Sequence, residues 1–267
     1  MAEISAATVK ALREETGLGM MECKKALAEA KGDPALAKDI LRKKGLATAE
    51  KKAGRATSEG LIGILANDAR TEVTLVEVRC ETDFCSRNDE FKAMVQDVTK
   101  MASKAAPGPL AATPEITARL HEALNKIREN MSFARGIKIA APAVAWYRHH
   151  NGKVGVVVGA EGDVSGELLT DLCMHVAFAD PMGISVEDIP AEIVAKEKEI
   201  AKAQAVASGK PPEIAEKMVV GKVRKFLEER ALLEQLIALE DKYGKKKVKD
   251  VLGKAKVTAF ARFAVGA

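Results

Sequence analysis

Aromatic side chains are scarce in this sequence: seven Phe, two Tyr and one Trp in 267 residues. Its basic stretches therefore lack the interleaved rings on which single-stranded nucleic acids stack. No apolar run reaches the ~18 residues of a membrane span. The opening residues, MAEISAATVKALREE, hold neither an apolar signal core nor an Arg-rich, acid-poor transit pattern. A dominant charge is missing too. The 42 basic residues face 38 acidic ones, and the formal +4 demands no polyanionic partner. Cysteine is limited to Cys23, Cys80, Cys85 and Cys173, which favours reduced thiols in a cytoplasm over a disulfide framework. Only Cys80 and Cys85 stand close, as C-x4-C. No further ligands lie near them at sensible spacing, so no metal site is read there. The motifs G-x-S-x-G, G-x-x-x-x-G-K-[ST] and H-E-x-x-H are all absent. No catalytic arrangement and no cofactor site emerges, and the expectation is a protein that is not an enzyme.

What is present is a strong alternation of helix and strand signals. The length suits one large domain or two to three small ones. Residues 1–55 predict a bundle of three short helices. SAATVKALREETG has Ser5 as N-cap and Gly17 as stop; GMMECKKALAEAKGD ends near Gly32; DPALAKDILRKKG has Asp33 as N-cap, Pro34 at the first helical position and Gly45 as stop. Residues 56–141 predict a first core subdomain: strands in EGLIGILA and TEVTLVEVRC, helices in DEFKAMVQDVTKMAS and PEITARLHEALNKIREN, and a strand in FARGIKIAAP. The segment PGPLAATP reads as a chain break.

Residues 142–185 with 231–267 repeat this order in pattern: strands PAVAWYRHH and GKVGVVVGA around the hairpin signal Asn151-Gly152, helix GELLTDLCMHVAFAD, and a late strand TAFARFAVG. Residues 186–230 form an insertion of two helical patterns split at Ser208-Gly209-Lys210-Pro211-Pro212, a helical hairpin. Its expected seam places Ile193, Ile200, Ala203 and Ala207 against Ile214, Met218, Val219, Val223 and Phe226. The basic segment 245–256 reads as a short exposed helix. The fold class is α+β: a small N-terminal three-helix bundle, a two-part core of antiparallel three-stranded sheets covered by helices, and a protruding antiparallel helical hairpin.

Four features could carry function. Thr82-Asp83-Phe84 follows a strand directly. In one reading Asp83 caps the next helix and Phe84 enters the core. In the other, Phe84 is a rigid aromatic probe, and the neighbouring acid can redirect a partner's cation ligands. Gly17-Leu18-Gly19-Met20-Met21 is either bundle packing or a Met-rich docking surface rimmed by Arg13. His149 and His150 sit at a hairpin tip, where a solvated pair is the plain reading. The basic stretches read as a solvated face.

The segments LREETGLGMMECKKAL and VRCETDFCSRNDEF resemble the two signature segments of bacterial translation elongation factor Ts. KKAGRATSEGLI, YRHHNGKVGVVV, MHVAFADP, SGKPPEIAEKMVVGK and FARFAVG follow in family order. The resemblance implies a UBA-like helical N-terminal domain, a two-part core and a coiled-coil arm. It implies a cytoplasmic guanine-nucleotide exchange factor that binds elongation factor Tu with GDP, disturbs its magnesium and phosphate site, and promotes GDP release in translation elongation. By position, Thr82, Asp83, Phe84 and Cys85 would form the turn that meets the partner's GTPase domain. Arg13, Met20 and Met21 would supply the N-terminal contact, and His149 the hairpin-tip contact. No direct nucleotide binding, no membrane and no nucleic acid are expected, with a homodimer through core or arm as a further option. Two other readings stay open: a ribosome- or RNA-associated basic protein, and a thiol enzyme using Cys80 and Cys85.

Overall fold

A computed structural model describes residues 4–207, 209 and 211–267. Its contacts divide the chain into two units. The first comprises Met1–Leu65, Val76–Ile137 and Ala264–Ala267, the second Ala66–Leu75 and Lys138–Phe263.

The first unit begins with helices α1 (Ala6–Thr16), α2 (Met20–Glu29) and α3 (Pro34–Lys52). Ser5 caps α1 by accepting from Thr8 N, and Gly17 closes it in the left-handed region at φ 68°. Val9, Leu12, Cys23, Ala26, Leu27, Ala37 and Leu41 make the bundle's core. Gly45 does not stop α3, which continues to Lys52. A Cβ at Gly45 would lie 2.1 Å from Nδ2 of Asn125. The glycine answers a close approach within the fold rather than a helix end.

Strands β1 (Glu59–Ala66) and β2 (Glu72–Cys80) lead into α4 (Asp83–Arg87) and α5 (Asp89–Ala102). A short β3 (Gly108–Leu110) follows, then α6 (Pro114–Ile127) and β4 (Met131–Ala140). The sheet order is β1-β2-β4-β3. The segment expected only to break the chain thus adds a fourth, three-residue strand to one edge. Phe91, Met94, Val95 and Val98 of α5 and Ile116, Leu120 and Ala123 of α6 pack with Val76 and Val78 of β2. Glu77 is fully buried, and its carboxylate accepts from Arg79 Nε and Arg135 Nε, each at 2.6 Å, and from Gly266 N at 3.1 Å. Those partners offset the desolvation of the charge.

The second unit holds β5 (Ala143–Arg148), β6 (Val154–Glu161), α7 (Gly166–Ala179), α8 (Ala191–Ala207), α9 (Pro212–Arg230), α10 (Glu240–Tyr243), α11 (Val248–Leu252) and β7 (Lys256–Ala264). Its sheet runs β5-β6-β7, with β5 antiparallel to β6 and Trp146 opposite Val157. Val156, Val158, Leu169, Leu172 and Val176 lie at the centre of its core. The order strand, strand, helix, returning strand occurs in both sheets, β1-β2-β4 and β5-β6-β7.

Helices α8 and α9 meet on Ala201, Ala205 and Val219, with Ala215 and Val223 beside them. On α8 the expected seam through Ile200, Ala203 and Ala207 is displaced and those three side chains are exposed, while on α9 Val219 and Val223 lie in the seam as expected and Ile214 is exposed. Alanines four apart lie on one face and let the backbones approach, where Ile200 would hold them apart. Of the split between the helices, Ser208 and Lys210 lie outside the described residues. The basic segment is not simply exposed. Val248 and Leu252 of α11 are buried in the unit's core, while Lys247 and Lys249 each pair with Glu234 at 2.7 Å.

Candidate functional site: a clamped turn that presents Phe84

Strand β2 ends at Cys80, and two residues later Thr82 turns the chain into α4. Thr82 is extended (φ −126°, ψ 158°), and its Oγ1 accepts from Cys85 N at 3.2 Å. The cap is thus Thr82, and Asp83 occupies the first helical position rather than the capping one expected of it. There its carboxylate suits the helix N-terminus and accepts from Arg87 one turn on, at 2.9 Å. Asn88 ends α4 and caps α5, accepting from Glu90 N at 2.8 Å. Phe91 then enters the core.

The turn is held from across the unit. Thr82 N donates to Glu129 Oε2 at 3.0 Å, and Thr82 Oγ1 donates to Glu129 Oε1 at 2.7 Å. In return Asn130 N donates to Glu81 Oε1 at 2.6 Å. Asn130 Nδ2 donates to Arg55 O at 2.8 Å, and an Arg55 nitrogen lies 3.5 Å from Glu81. Two adjacent residues of one loop thus grip two of the other. Hydrogen bonds to a charged group are worth about 1.5–3 kcal/mol, so the grip is stiff.

On this mount Phe84 is 79% exposed, whereas Phe91, seven positions on, is at 0%. The reading that put Phe84 in the core fails on this contrast. The core beneath the turn is already filled by Cys80, Cys85 and Phe91. Cys85 is buried and can act on a partner only by shaping the turn. Its thiol is pushed up from its ordinary pKa by the hydrogen bond with Cys80, by burial and by the charges of Cys80 and Glu129.

Met20 and Met21 are 47% and 61% exposed at the start of α2, and Arg13 is exposed on α1. Helix α2 also carries Glu22, which pairs with Arg128. Arg128 adjoins Glu129, the residue that accepts from Thr82. His149 belongs to the other unit, where its Nδ1 lies 2.9 Å from Tyr147 Oη and its ring 4.2 Å from that of His150. Glu81, Glu129 and Asn130 escaped the sequence reading. The only local mark of Glu129 is its place at a helix end, after Arg128 in the left-handed region at φ 69°. Its partner lies 47 residues away.

All four cysteines are free and buried, and no helix among the described residues is long and apolar enough to cross a membrane. A large apolar side chain held in water on a clamped turn has the form of an anchor for docking on another protein. Comparison with known sequences narrows this class. A family described as elongation factor TS matches residues 81–267. Elongation factor Ts of Hahella chejuensis is 42% identical over 270 residues, covering 100% of this chain and 93% of that protein. Those of Vibrio parahaemolyticus and Francisella tularensis subsp. novicida are each 44% identical, over 272 and 274 residues, covering 100% of this chain and 92% and 93% of theirs. The chain belongs to the elongation factor Ts family. Its role is guanine-nucleotide exchange on elongation factor Tu during translation elongation.

Proposed function

We propose that Phe84 is the lever of exchange: it enters elongation factor Tu beside the magnesium and phosphate site and weakens the hold on GDP. The observation that carries this reading is the exposure of Phe84 on a turn clamped by Glu129. A mobile turn would lose backbone entropy on docking, and one clamped at Thr82 has less left to lose. Asp83 stands beside it to disturb the partner's cation ligands, while Thr82 and Cys85 hold the turn. Arg13, Met20 and Met21 hold the partner without discriminating its nucleotide states, and His149 adds a contact from the second unit.

The energetics are those of linkage. An exchange factor makes or breaks no covalent bond, so the chain acts as a binding protein and not as an enzyme. It weakens GDP by the ratio in which GDP weakens it. Loosening a nucleotide ~10³-fold needs about 4 kcal/mol of differential binding. Burying a Phe ring contributes ~1.5–3 kcal/mol, and lost magnesium contacts contribute the rest. On this reading the chain binds no nucleotide itself and works in the cytoplasm. Residues 1–55 dock and residues 186–230 form an arm. Residues 56–141 and 142–185 with 231–267 make the two halves of the core, and a homodimer through core or arm is compatible with it. The RNA-associated reading loses support because Lys247 and Lys249 of the basic segment are tied to Glu234.

The test is stopped-flow release of a fluorescent GDP from elongation factor Tu, driven by the wild-type chain and by Phe84→Ala, with thermal melts alongside. The expected result is slow release at unchanged stability. Equal release by both proteins removes Phe84 from the mechanism.

A further inference from the structure

Beneath the turn, the Sγ atoms of Cys80 and Cys85 and a carboxylate oxygen of Glu129 all lie within 4.8 Å of one another. The end of β2 supplies the first, α4 the second, and the connection from α6 to β4 the third. In sequence the thiol pair has no third ligand nearby; the fold brings one in. Two sulfur donors and one oxygen are a donor set that suits zinc. Tetrahedral zinc with bonds of about 2.0–2.3 Å holds its ligand atoms about 3.3–3.8 Å apart, so small side-chain adjustments close the set.

Two further observations bear on a cation. The carboxylate is already oriented, since Thr82 N and Thr82 Oγ1 each donate to one of its oxygens. Such outer partners fix a metal ligand's direction, and a carboxylate has lone pairs enough to keep them and bind an ion. The two thiols are buried while Glu129 is only half-buried, so an ion and its water can reach the set from the carboxylate's side.

We propose that Cys80, Cys85 and Glu129 form a zinc site, completed by water, in the mount of the Phe84 turn. Binding is an exchange of one Zn²⁺ for the two thiol protons, which leave to solvent; no oxidant takes part. The proposal rests on the cluster and not on the exchange mechanism, and its readout is the metal itself.

The experiment titrates the full chain, reduced with a phosphine and kept free of oxygen, with Co²⁺ and then Zn²⁺. The expected result is one Co²⁺ per chain with a thiolate-to-cobalt charge-transfer band and tetrahedral visible bands, bleached by Zn²⁺. About two protons appear per ion at neutral pH, and apparent affinity climbs by up to about 100-fold per pH unit while both thiols start protonated. Zinc raises the melting temperature. Cys80→Ser and Cys85→Ser abolish the charge-transfer band, Glu129→Gln weakens binding at least ~10-fold, and Cys23→Ser and Cys173→Ser change nothing. Absence of the band in folded wild-type protein overturns the proposal whatever the variants do. So does a band that survives both serine substitutions, or one that follows Cys23 or Cys173.

Discussion

The chain makes the same strand-to-helix passage twice, and the two versions differ. After β6 the connection is short: Gly162 takes φ 91°, Ser165 caps α7 by accepting from Leu168 N at 3.1 Å, and the one apolar side chain in between, Val164, packs against the core. After β2 the connection is longer, contains a helical turn of its own, is gripped by Glu129 and carries Phe84 into water. Either passage serves to join a strand to a covering helix. The extra residues, the remote clamp and the exposed ring of the first are not needed for that task. What exceeds the needs of folding is where function is to be sought.

The largest expected effect tests this directly. Phe84→Ala should cut stimulated GDP release roughly 10- to 150-fold, from ~1.5–3 kcal/mol of lost burial in the complex. Stability should move by no more than about 0.5 kcal/mol, as for an exposed position. A large loss of stability instead would make the ring a folding element and erase the contrast between the two passages. Next comes Glu129→Gln in metal-free protein. Loss of the charge on Thr82's partner should cost about 1–3 kcal/mol in chemical denaturation and slow release about tenfold, because the ring docks from a looser turn. Full exchange activity in a destabilised variant would show that stiffness is irrelevant.

Met20→Ala with Met21→Ala should weaken the complex with elongation factor Tu by about tenfold in a titration, leaving the rate at saturation nearly intact. The reverse pattern would put the N-terminal bundle at the nucleotide. A matched pair sharpens the comparison further. Thr82→Ala and Ser165→Ala each remove an N-cap worth ~1 kcal/mol. Only the first should slow GDP release, several-fold, when both are assayed below their melting transitions.

The smallest effect belongs to the second unit alone. His175 of α7 is buried, with Nδ1 accepting from Ala238 N at 3.1 Å. Its Nε2 therefore carries the proton and donates to Gln235 Oε1 at 2.9 Å. Burial, partly opposed by Gln235, holds the imidazole's pKa below its ordinary 6.5. The unfolded chain then takes up the proton first as pH falls, so the stabilisation is complete above about pH 6.5 and declines below it. Urea melts between pH 7.5 and pH 5 should show a slope approaching about 1 kcal/mol per pH unit, absent in His175→Asn. The depressed carboxylates Asp171, Asp188 and Glu234 lose their contribution only at lower pH, near the ordinary carboxylate range, so the two windows separate. A slope that persists without His175 assigns it elsewhere.

Much of the fold was legible because its signals are local. Ser5 and Gly17 bound α1, Thr113 and Pro114 open α6, and Asn151-Gly152 turns the β5–β6 hairpin, with Gly152 at φ 71°. Apolar spacing marks α5 as a helix, and Phe91, Met94, Val95 and Val98 form its buried face. Most of the misreadings concern packing at a distance. Gly45 resembled a stop because its reason, Asn125, lies 80 positions on. The seam of α8 and α9 slipped because periodicity names a stripe and not which of its neighbours the partner helix selects. The basic segment resembled a solvated helix because Glu234 and the core under Val248 were invisible.

The sequence by itself therefore determined most of the helices and strands, many of their caps and turns, and the repeated order of the two sheets, since each depends on residues within a few positions of one another. Tertiary structure alone decided which of two phenylalanines is buried and that Glu129 holds the Thr82 turn beside two thiols. Those outcomes rest on competition for core space and on charges meeting across the chain, and no short-range pattern encodes either.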